Sequence, residues 1–344
     1  MKRAAAFVLC IMLALAGSVI AFARVQPPAF VLVAAEPSAI VTGFGADIYA
    51  LELERGNWVN VTHTPFEGEI NPASARNDRD FSFTRMNQDF VRGLLAEICL
   101  DSLGEARRCF PARGRWDSGA TWSPDGEWLL YHTPGSEGAL TVLLHPRSGE
   151  AREIETTTDS LLDAAWSPDG TRLAAVHLSP GFSRIVTVDI AGAALTTLSP
   201  EDDTRYLAPT WGPDGAQVAY LANGRLAVTA LDRPGEADII TPETLAATAP
   251  AWSPDGALIA FADTLTWHVY VVQPDGSGLR RISDLPRPLI DDTLSWSRDG
   301  RYLAWSASGG PASGQNVLSI YDAQADTLRQ VNDRAHYFYA PVWW

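Results

Sequence analysis

The sequence predicts an all-β protein, a seven-bladed β-propeller built from four-stranded antiparallel blades. Three observations predict it. A tryptophan-led pentad recurs at nearly constant spacing, each copy is followed by short strand patterns, and the two chain ends hold complementary parts of one blade. The pentad, Trp-Ser-Pro-Asp-Gly or a near copy, starts at five tryptophans that are 44, 45, 41 and 44 residues apart: Trp122, Trp166, Trp211, Trp252 and Trp296.

The clearest repeat unit covers residues 249–283. A short strand ends at Trp252, and the next four residues, Ser-Pro-Asp-Gly, predict a type I turn with proline at its second position and glycine at its fourth. Further strands follow at 257–261, 269–272 and 279–283. Because this meander is apolar on both faces, it needs a neighbouring sheet on each side, and radial stacking of blades supplies those neighbours.

The remaining units lie upstream and at the two chain ends. Residues 71–110 follow the repeat pattern but lack its tryptophan. Residues 30–62 contain the second, third and fourth strands of a blade but no first strand. The C-terminal Ala-Pro-Val-Trp-Trp is a first strand that no other strands follow. Joining these end pieces closes the ring, with the C-terminal strand innermost, and removes exposed sheet edges. The propeller is expected over residues 24–344, with blades at 28–66 plus 338–344, 67–112, 116–157, 160–200, 205–243, 247–285 and 289–333.

Residues 1–23 predict an export signal or a membrane anchor. Lys2 and Arg3 precede an apolar run, and Ala-Phe-Ala ending at Ala23 is a suitable site for a signal peptidase. The run, residues 4–23, is also long enough to span a membrane uncleaved. Both alternatives place the rest of the chain outside the cytoplasm, in the periplasm or the extracellular space.

Composition narrows the classes of partner. The 344 residues carry a formal net charge of −15, which repels phosphate backbones, so nucleic acid is not an expected partner. A membrane is expected to contact the protein only through residues 4–23, and we expect a monomer.

Cys99 and Cys109 flank a turn about Gly104; they either form a disulfide in an oxidising compartment or stay a buried pair of thiols.

The repeated pentad, the apolar strand after it, Val-Tyr-Val-Val at 269–272 and Leu-Arg-Arg-Ile-Ser at 279–283 together resemble the TolB-like propeller repeat, which is WD-like. The resemblance covers residues 70–344 and, more weakly, 30–66. It implies the propeller fold but no single activity. The chain resembles the propeller domain only: the stretch before the first blade leaves no room for an α/β domain, and no Gly-x-Ser-x-Gly nucleophile elbow occurs.

The loops that lead into the innermost strands are expected to ring the mouth of the central channel. They carry acidic and aromatic side chains, which favour a cationic or polar partner segment, unless they are polar simply because loops face solvent. The proposed partner-binding residues are Glu69, Trp116, Asp117, Asp163, Arg205, Tyr206, Asp291, Asp292, Tyr337 and Phe338. Long loops at 36–46, 86–93 and 306–315 share this face, whereas the very short Asn223-Gly224 loop leaves a notch beside them.

We therefore predict an exported, non-catalytic scaffold that binds a protein or peptide partner through its loop face and channel mouth. The alternative is a lyase or hydrolase that acts on an envelope or extracellular polymer, with His132 or His177 in the reaction; these residues end the second strands of adjacent blades. No metal-ligand spacing such as His-Glu-x-x-His occurs, so no metal and no cofactor are expected.

Overall fold

The computed structural model of the chain describes residues 30–37, 46–64, 68–76, 80–89, 93–102, 106–111, 118–135, 139–154, 160–191, 194–291, 293–309, 316–331 and 336–344. The expected signal or anchor at residues 1–23 lies outside them. The described residues form 28 strands in seven four-stranded sheets, and they contain no helix. Within these ranges, therefore, no helical segment could cross a membrane.

The strands of the N-terminal half are β1 (Phe30–Pro37), β2 (Asp47–Glu52), β3 (Asn57–Asn60), β4 (Gly68–Ser74), β5 (Asp80–Asp89), β6 (Gly93–Ser102), β7 (Arg108–Phe110), β8 (Ser118–Trp122), β9 (Leu129–Pro134), β10 (Ala139–Leu144), β11 (Ala151–Glu153), β12 (Ser160–Trp166), β13 (Arg172–Ser179), β14 (Phe182–Asp189) and β15 (Leu195–Thr197). Those of the C-terminal half are β16 (Tyr206–Trp211), β17 (Gln217–Ala222), β18 (Arg225–Ala230), β19 (Asp238–Ile239), β20 (Ala247–Trp252), β21 (Ile259–Asp263), β22 (His268–Val272), β23 (Arg280–Arg281), β24 (Ser295–Trp296), β25 (Tyr302–Ser308), β26 (Asn316–Asp322), β27 (Thr327–Val331) and β28 (His336–Trp343).

Blade I is shared by the two ends of the chain, as the sequence predicted. Its strand order is β28-β1-β2-β3, and β28 lies antiparallel to β1 with Val31 opposite Trp343 and Pro37 opposite His336. Blades II to VII each use four consecutive strands in chain order, beginning with β4, β8, β12, β16, β20 and β24. The predicted seven-bladed, closed all-β fold is confirmed.

The pentad tryptophans hold neighbouring blades together. The Trp122 indole N–H donates to the carbonyl of Ala73 at 3.1 Å, and the same bond to the preceding blade recurs at Trp166, Trp211, Trp296 and Trp343 over 2.7–3.3 Å. Blade II has Ser74 where the others have tryptophan, and its hydroxyl donates to the carbonyl of Trp343. Each acceptor is in the innermost strand of the preceding blade, so these bonds link the blades around the ring except between blades V and VI, where the buried Trp252 indole N–H has no hydrogen-bond partner within the described residues.

The residues after each tryptophan form the predicted turn. In blade IV the Ser167 hydroxyl donates to the Asp169 carboxylate at 2.6 Å, the Thr171 N–H donates to the same carboxylate at 3.0 Å, and Gly170 has a φ of 72°. The Ser167 hydrogen bond, the largest contribution, helps lower the pKa of Asp169 to about 2. The pentad aspartates therefore stabilise turns.

Arg298 replaces the usual pentad proline in blade VII, and its position explains the substitution. Blade I has no pentad turn, because its innermost strand and its second strand come from opposite ends of the chain. The Arg298 guanidinium reaches past this gap and donates to the carbonyl of Ala75 in blade II at 2.6 Å. One arginine thus connects blades VII and II on the face where the turn is missing.

We expect Arg298→Pro to lower the free energy of unfolding by about 1 kcal/mol, although it restores the repeat pattern. The charge-assisted hydrogen bond to Ala75 is lost, and the gain from a stiffer turn is smaller. Urea unfolding of the wild type, Arg298→Pro and Arg298→Ala measures the effect. An Arg298→Pro variant more stable than the wild type would contradict the proposed link.

Cys99 and Cys109 are joined by a disulfide in the structure. They lie opposite each other on β6 and β7, the outer two strands of blade II. The bond therefore fastens the short outermost strand of this blade to its neighbour. Residues 103–105, the turn between these strands, lie outside the described residues.

Candidate functional site

The propeller has two unlike faces. One, here called the pentad face, carries the turns after the pentad tryptophans and the connections between third and fourth strands. The other, the loop face, carries the connections between second and third strands and those leading into each innermost strand. The described candidates among the proposed partner-binding residues lie towards the loop face, whereas Trp116, Asp117 and Asp292 lie outside the described residues.

Glu69 does not line the rim as the sequence suggested. Its side chain has no exposed surface, and its carboxylate pairs with the Arg107 guanidinium at 2.9 Å. Arg107 also pairs with Asp101 and lies over the Phe83 ring. These side chains therefore pack together next to blades I and II. Burial raises the pKa of Glu69, and Arg107 opposes that shift. Glu69 is a structural residue, which a partner cannot reach in this conformation.

Tyr206 and Phe338 are buried as well, so neither ring is exposed at the rim in this conformation. Phe338 stacks on Trp58 with ring centroids 4.9 Å apart. The Tyr206 hydroxyl donates to the Asp202 carboxylate at 2.9 Å, and burial together with this bond raises the pKa of Tyr206 to about 12. Both rings pack between blades because the innermost strands turn these positions inwards, away from the channel mouth.

The other described candidates remain accessible. Asp163 and Arg205 are exposed, and Asp291 and Tyr337 are half-buried. Asp291 also has a structural role: its carboxylate accepts a hydrogen bond from the backbone N–H of Ala340, in the neighbouring blade. Fewer of the predicted rim residues are therefore accessible to a partner than the sequence indicated.

The innermost strands contain β-bulges that the sequence repeats did not predict. In blades I to VI the strand pairing shifts near the residue three positions before the recurring tryptophan, or before Ser74 in blade II, and that residue has a φ of 44–73°. These left-handed residues are Asn71, Gly119, Asp163, Ala208, Ala249 and Ala340. Such β-bulges sharpen the twist of a strand. Asparagine, glycine and aspartate tolerate this conformation and were the available signal, but the three alanines concealed the pattern.

His132 and His177 lie on the second strands of adjacent blades, III and IV. His132 is opposite Thr141, whose hydroxyl donates to the carbonyl of Leu161, and Leu161 is opposite His177. Burial lowers the pKa of His132, and Asp163 partly opposes this. Within the described ranges, no three histidine, cysteine or carboxylate side chains form a group that could hold a metal ion.

His268 and Ser283 resemble a base with its nucleophile, since Nδ1 and the hydroxyl oxygen are 2.9 Å apart. The repeat gives this pair a structural explanation. The Ser283 hydroxyl accepts the N–H of Val269, and the hydroxyls of Thr62, Ser199 and Thr241 accept the corresponding N–H in other blades. A role shared by four blades is part of the scaffold, and both His268 and Ser283 are buried.

Exposed apolar side chains gather on the loop face, a feature that the sequence pattern does not predict. The structure exposes eight large apolar residues within the described ranges, and only Leu195 and Ile239 are on outermost strands. The other six lie in or beside loop-face connections: Leu140, Leu178, Phe182, Leu265, Trp267 and Leu285. Isolated exposed apolar residues are ordinary, whereas a concentration on one face marks an interaction surface.

The loop that carries Leu265 and Trp267 has a fixed shape. The buried Asp263 carboxylate accepts the N–H of Ala246 at 2.7 Å, the N–H of Thr266 at 2.8 Å and the Thr266 hydroxyl. Trp267 is 46% exposed although its φ is 60°, a conformation uncommon for so bulky a residue. Such local strain is characteristic of functional loops.

The closed ring of seven four-stranded blades defines a seven-bladed β-propeller. Three solved structures with this fold differ in kind. TolB from Acinetobacter baumannii has a TM-score of 0.58 and 14% identity, over 87% of this chain and 78% of that one. A periplasmic gluconolactonase from Pseudomonas aeruginosa has a TM-score of 0.61 and 15% identity, over 92% of this chain and 99% of that one.

A prolyl endopeptidase structure gives a TM-score of 0.65 at 12% identity, over 87% of this chain and 50% of the peptidase chain. No family model matches the sequence, and the search of curated proteins finds no match. At these identities the likeness is one of fold. Because the fold is common to a TolB protein, a lactonase and a peptidase, the fold alone does not specify a function. The surface residues of this chain have to supply that information.

Proposed function

We propose that this protein is an exported, non-catalytic scaffold that binds a protein or peptide partner through the loop face of its propeller. The concentration of exposed apolar side chains on that face carries the proposal. Aromatic and aliphatic anchors supply most of the energy of protein interfaces, and tryptophan is prominent among them. Leu265 and Trp267 would supply such anchors in blade VI.

The scaffold suits this role because it is rigid where it supports the loops. Cross-blade indole hydrogen bonds fix the innermost strands, and the Asp263 hydrogen bonds fix the Trp267 loop. A binding surface that is ordered before association loses little conformational entropy on binding. Export rests on the features of residues 1–23, and the fold is also that of a protein described as periplasmic.

Site-specific photo-crosslinking in the cells that make the protein tests this proposal. A photoreactive amino acid replaces Trp267 or Phe182 on the loop face, or Ala257 in the pentad turn of blade VI as the matched control. We expect discrete protein adducts from the two loop-face positions and none from Ala257. Equal labelling at all three positions, or adducts from Ala257 alone, would contradict binding through the loop face.

A further inference from the structure

The outermost strand of blade II is short and is covalently tied to its neighbour. β7 forms three residue pairs with β6, and the Cys99–Cys109 disulfide joins the central pair. Cys99 is buried, and Cys109 packs with it among apolar side chains of blades I and II. The disulfide therefore fixes β7 at the middle of its pairing with β6.

Four other blades use a hydroxyl to fasten the end of the outermost strand. In blade IV the Ser199 hydroxyl, two residues after β15, accepts the N–H of Ile185 in the third strand at 3.1 Å. Equivalent hydroxyls in blades I, V and VI belong to Thr62, Thr241 and Ser283. The residue two positions after β7 in the sequence is Ala112, which lies outside the described residues. Since alanine has no hydroxyl, blade II lacks this fastening and contains the disulfide instead.

Arg107 stands directly before β7, two residues from Cys109. Its guanidinium donates to the Glu69 carboxylate at 2.9 Å, to the Asp101 carboxylate at 2.9 Å and to the carbonyl of Thr62 in blade I at 3.1 Å. These contacts join β4, β6 and blade I. Because the position of β7 determines where the Arg107 side chain begins, the disulfide and these polar contacts form one structural unit.

The charge of Glu69 is what makes this unit important. The Glu69 side chain has no exposed surface, so bulk water does not solvate its carboxylate. A buried carboxylate that loses its paired cation strongly destabilises a fold. Glu69 lies on the innermost strand of blade II, whereas Arg107 precedes the outermost one. Release of β7 would therefore affect the blade from its outer edge to the channel side.

We infer that the Cys99–Cys109 disulfide makes the junction of blades I and II sensitive to the redox state of its surroundings. A disulfide-bearing oxidant takes two electrons and two protons from the two thiols and becomes a dithiol, and β7 then holds Arg107 on Glu69. A dithiol reductant returns the electrons and protons, so β7 separates from β6 and Arg107 leaves Glu69. The native junction thus persists only in an oxidising compartment. The inference does not rest on partner binding.

Native-state digestion with trypsin tests the inference on the intact protein. Trypsin cleaves after Arg107 when β7 opens, and cleavage after Arg184, on the third strand of blade IV, reports global unfolding. The wild type is digested with and without prior reduction by dithiothreitol. Fragments are reduced before their masses are measured, because the disulfide spans the cut at Arg107.

Variants separate the disulfide from the ion pair. The forms compared are the wild type, Cys99→Ala with Cys109→Ala, Glu69→Gln, and all three substitutions together. Asp322→Asn, alone and with both cysteine substitutions, is the matched control, because Asp322 pairs with Arg301 at 2.8 Å in blade VII. Comparing each carboxylate substitution in the presence and absence of the disulfide measures their coupling.

We expect reduction, or replacement of both cysteines, to raise the rate of cleavage after Arg107 at least about tenfold without changing cleavage after Arg184. Glu69→Gln should raise the Arg107 rate about tenfold in the disulfide-bonded protein. Without the disulfide it should change that rate less than about twofold, because Arg107 has already left Glu69. Asp322→Asn should have the same small effect in both backgrounds.

Three results would overturn the inference. The first is cleavage after Arg107 at the wild-type rate in the disulfide-free protein, since β7 would then stay in place unaided. The second is an equal effect of Glu69→Gln in both backgrounds, since the disulfide and the ion pair would then be independent. The third is a matching rise at Arg184, which would show global unfolding instead of the release of β7.

Discussion

Deletion of residues 339–344 is expected to abolish cooperative folding. The deletion removes three of the six residue pairs between β28 and β1, and it removes Trp343, whose buried ring stacks on Tyr302 and whose indole N–H donates to the carbonyl of Ser295 at 2.7 Å. Loss of a buried tryptophan alone costs about 3 to 5 kcal/mol, against a total stability of about 5 to 15 kcal/mol for a typical domain.

Thermal unfolding followed by near-ultraviolet circular dichroism measures this effect. Trp343→Ala should show much of the loss, and Trp343→Phe, which keeps an aromatic ring but no N–H donor, should lose only about 1 kcal/mol beyond its change in packing. A deletion variant that melts cooperatively near the temperature of the wild type would show that β28 does not hold the ring closed.

Asp263→Ala is expected to disorder the Trp267 loop and to weaken partner binding at least tenfold. The substitution removes the carboxylate that accepts the N–H groups of Ala246 and Thr266, and a hydrogen bond to a charged group contributes about 1.5 to 3 kcal/mol. Asp169→Ala is the matched control, since Asp169 caps a turn on the opposite face. It should lower stability while leaving partner affinity unchanged.

The same aspartate predicts a pH dependence. Burial by itself would raise the pKa of Asp263, but hydrogen bonds from the Thr266 hydroxyl and from the backbone N–H groups of Ala246 and Thr266 outweigh burial and lower it. A folded-state pKa below the unfolded value stabilises the protein above about pH 4, and this contribution is lost as the pH falls through the folded value. Melting temperatures between pH 7 and pH 3 should therefore fall less for Asp263→Ala than for the wild type. An equal fall would show that Asp263 does not contribute.

The sequence predicts the ring well because its repeats are built from local signals. Tryptophan spacing, the proline and glycine of each pentad turn and the apolar strands all depend on residues close together in the chain. Blade I could be predicted too, since a first strand ending in Trp343 matches three strands that lack one. The sequence also shows that Arg298 departs from the repeat. Its reason, the hydrogen bond to blade II, joins residues far apart in the chain and is seen only in the structure.

The binding surface is less predictable, because exposure depends on the twist of each innermost strand. Glu69 and Tyr206 stand in the loop segments that were expected to form the rim, but the structure turns both inwards, and Arg107 reaches Glu69 from 38 residues away. Trp267 lies in a short connection between strands, and the length of that connection does not predict that the side chain is exposed. Its exposure follows from a left-handed backbone that Asp263 holds in place.

The most direct test of loop-face binding is the affinity of the partner identified by crosslinking for three forms of the protein. Isothermal titration calorimetry would compare the wild type, Trp267→Ser and Leu195→Ser, since Leu195 is equally apolar and 42% exposed but lies on an outermost strand. We expect Trp267→Ser to weaken binding by about 30-fold, equivalent to about 2 kcal/mol, and Leu195→Ser to leave it unchanged. Equal affinities for all three forms, or a larger loss for Leu195→Ser, would contradict binding through the loop face.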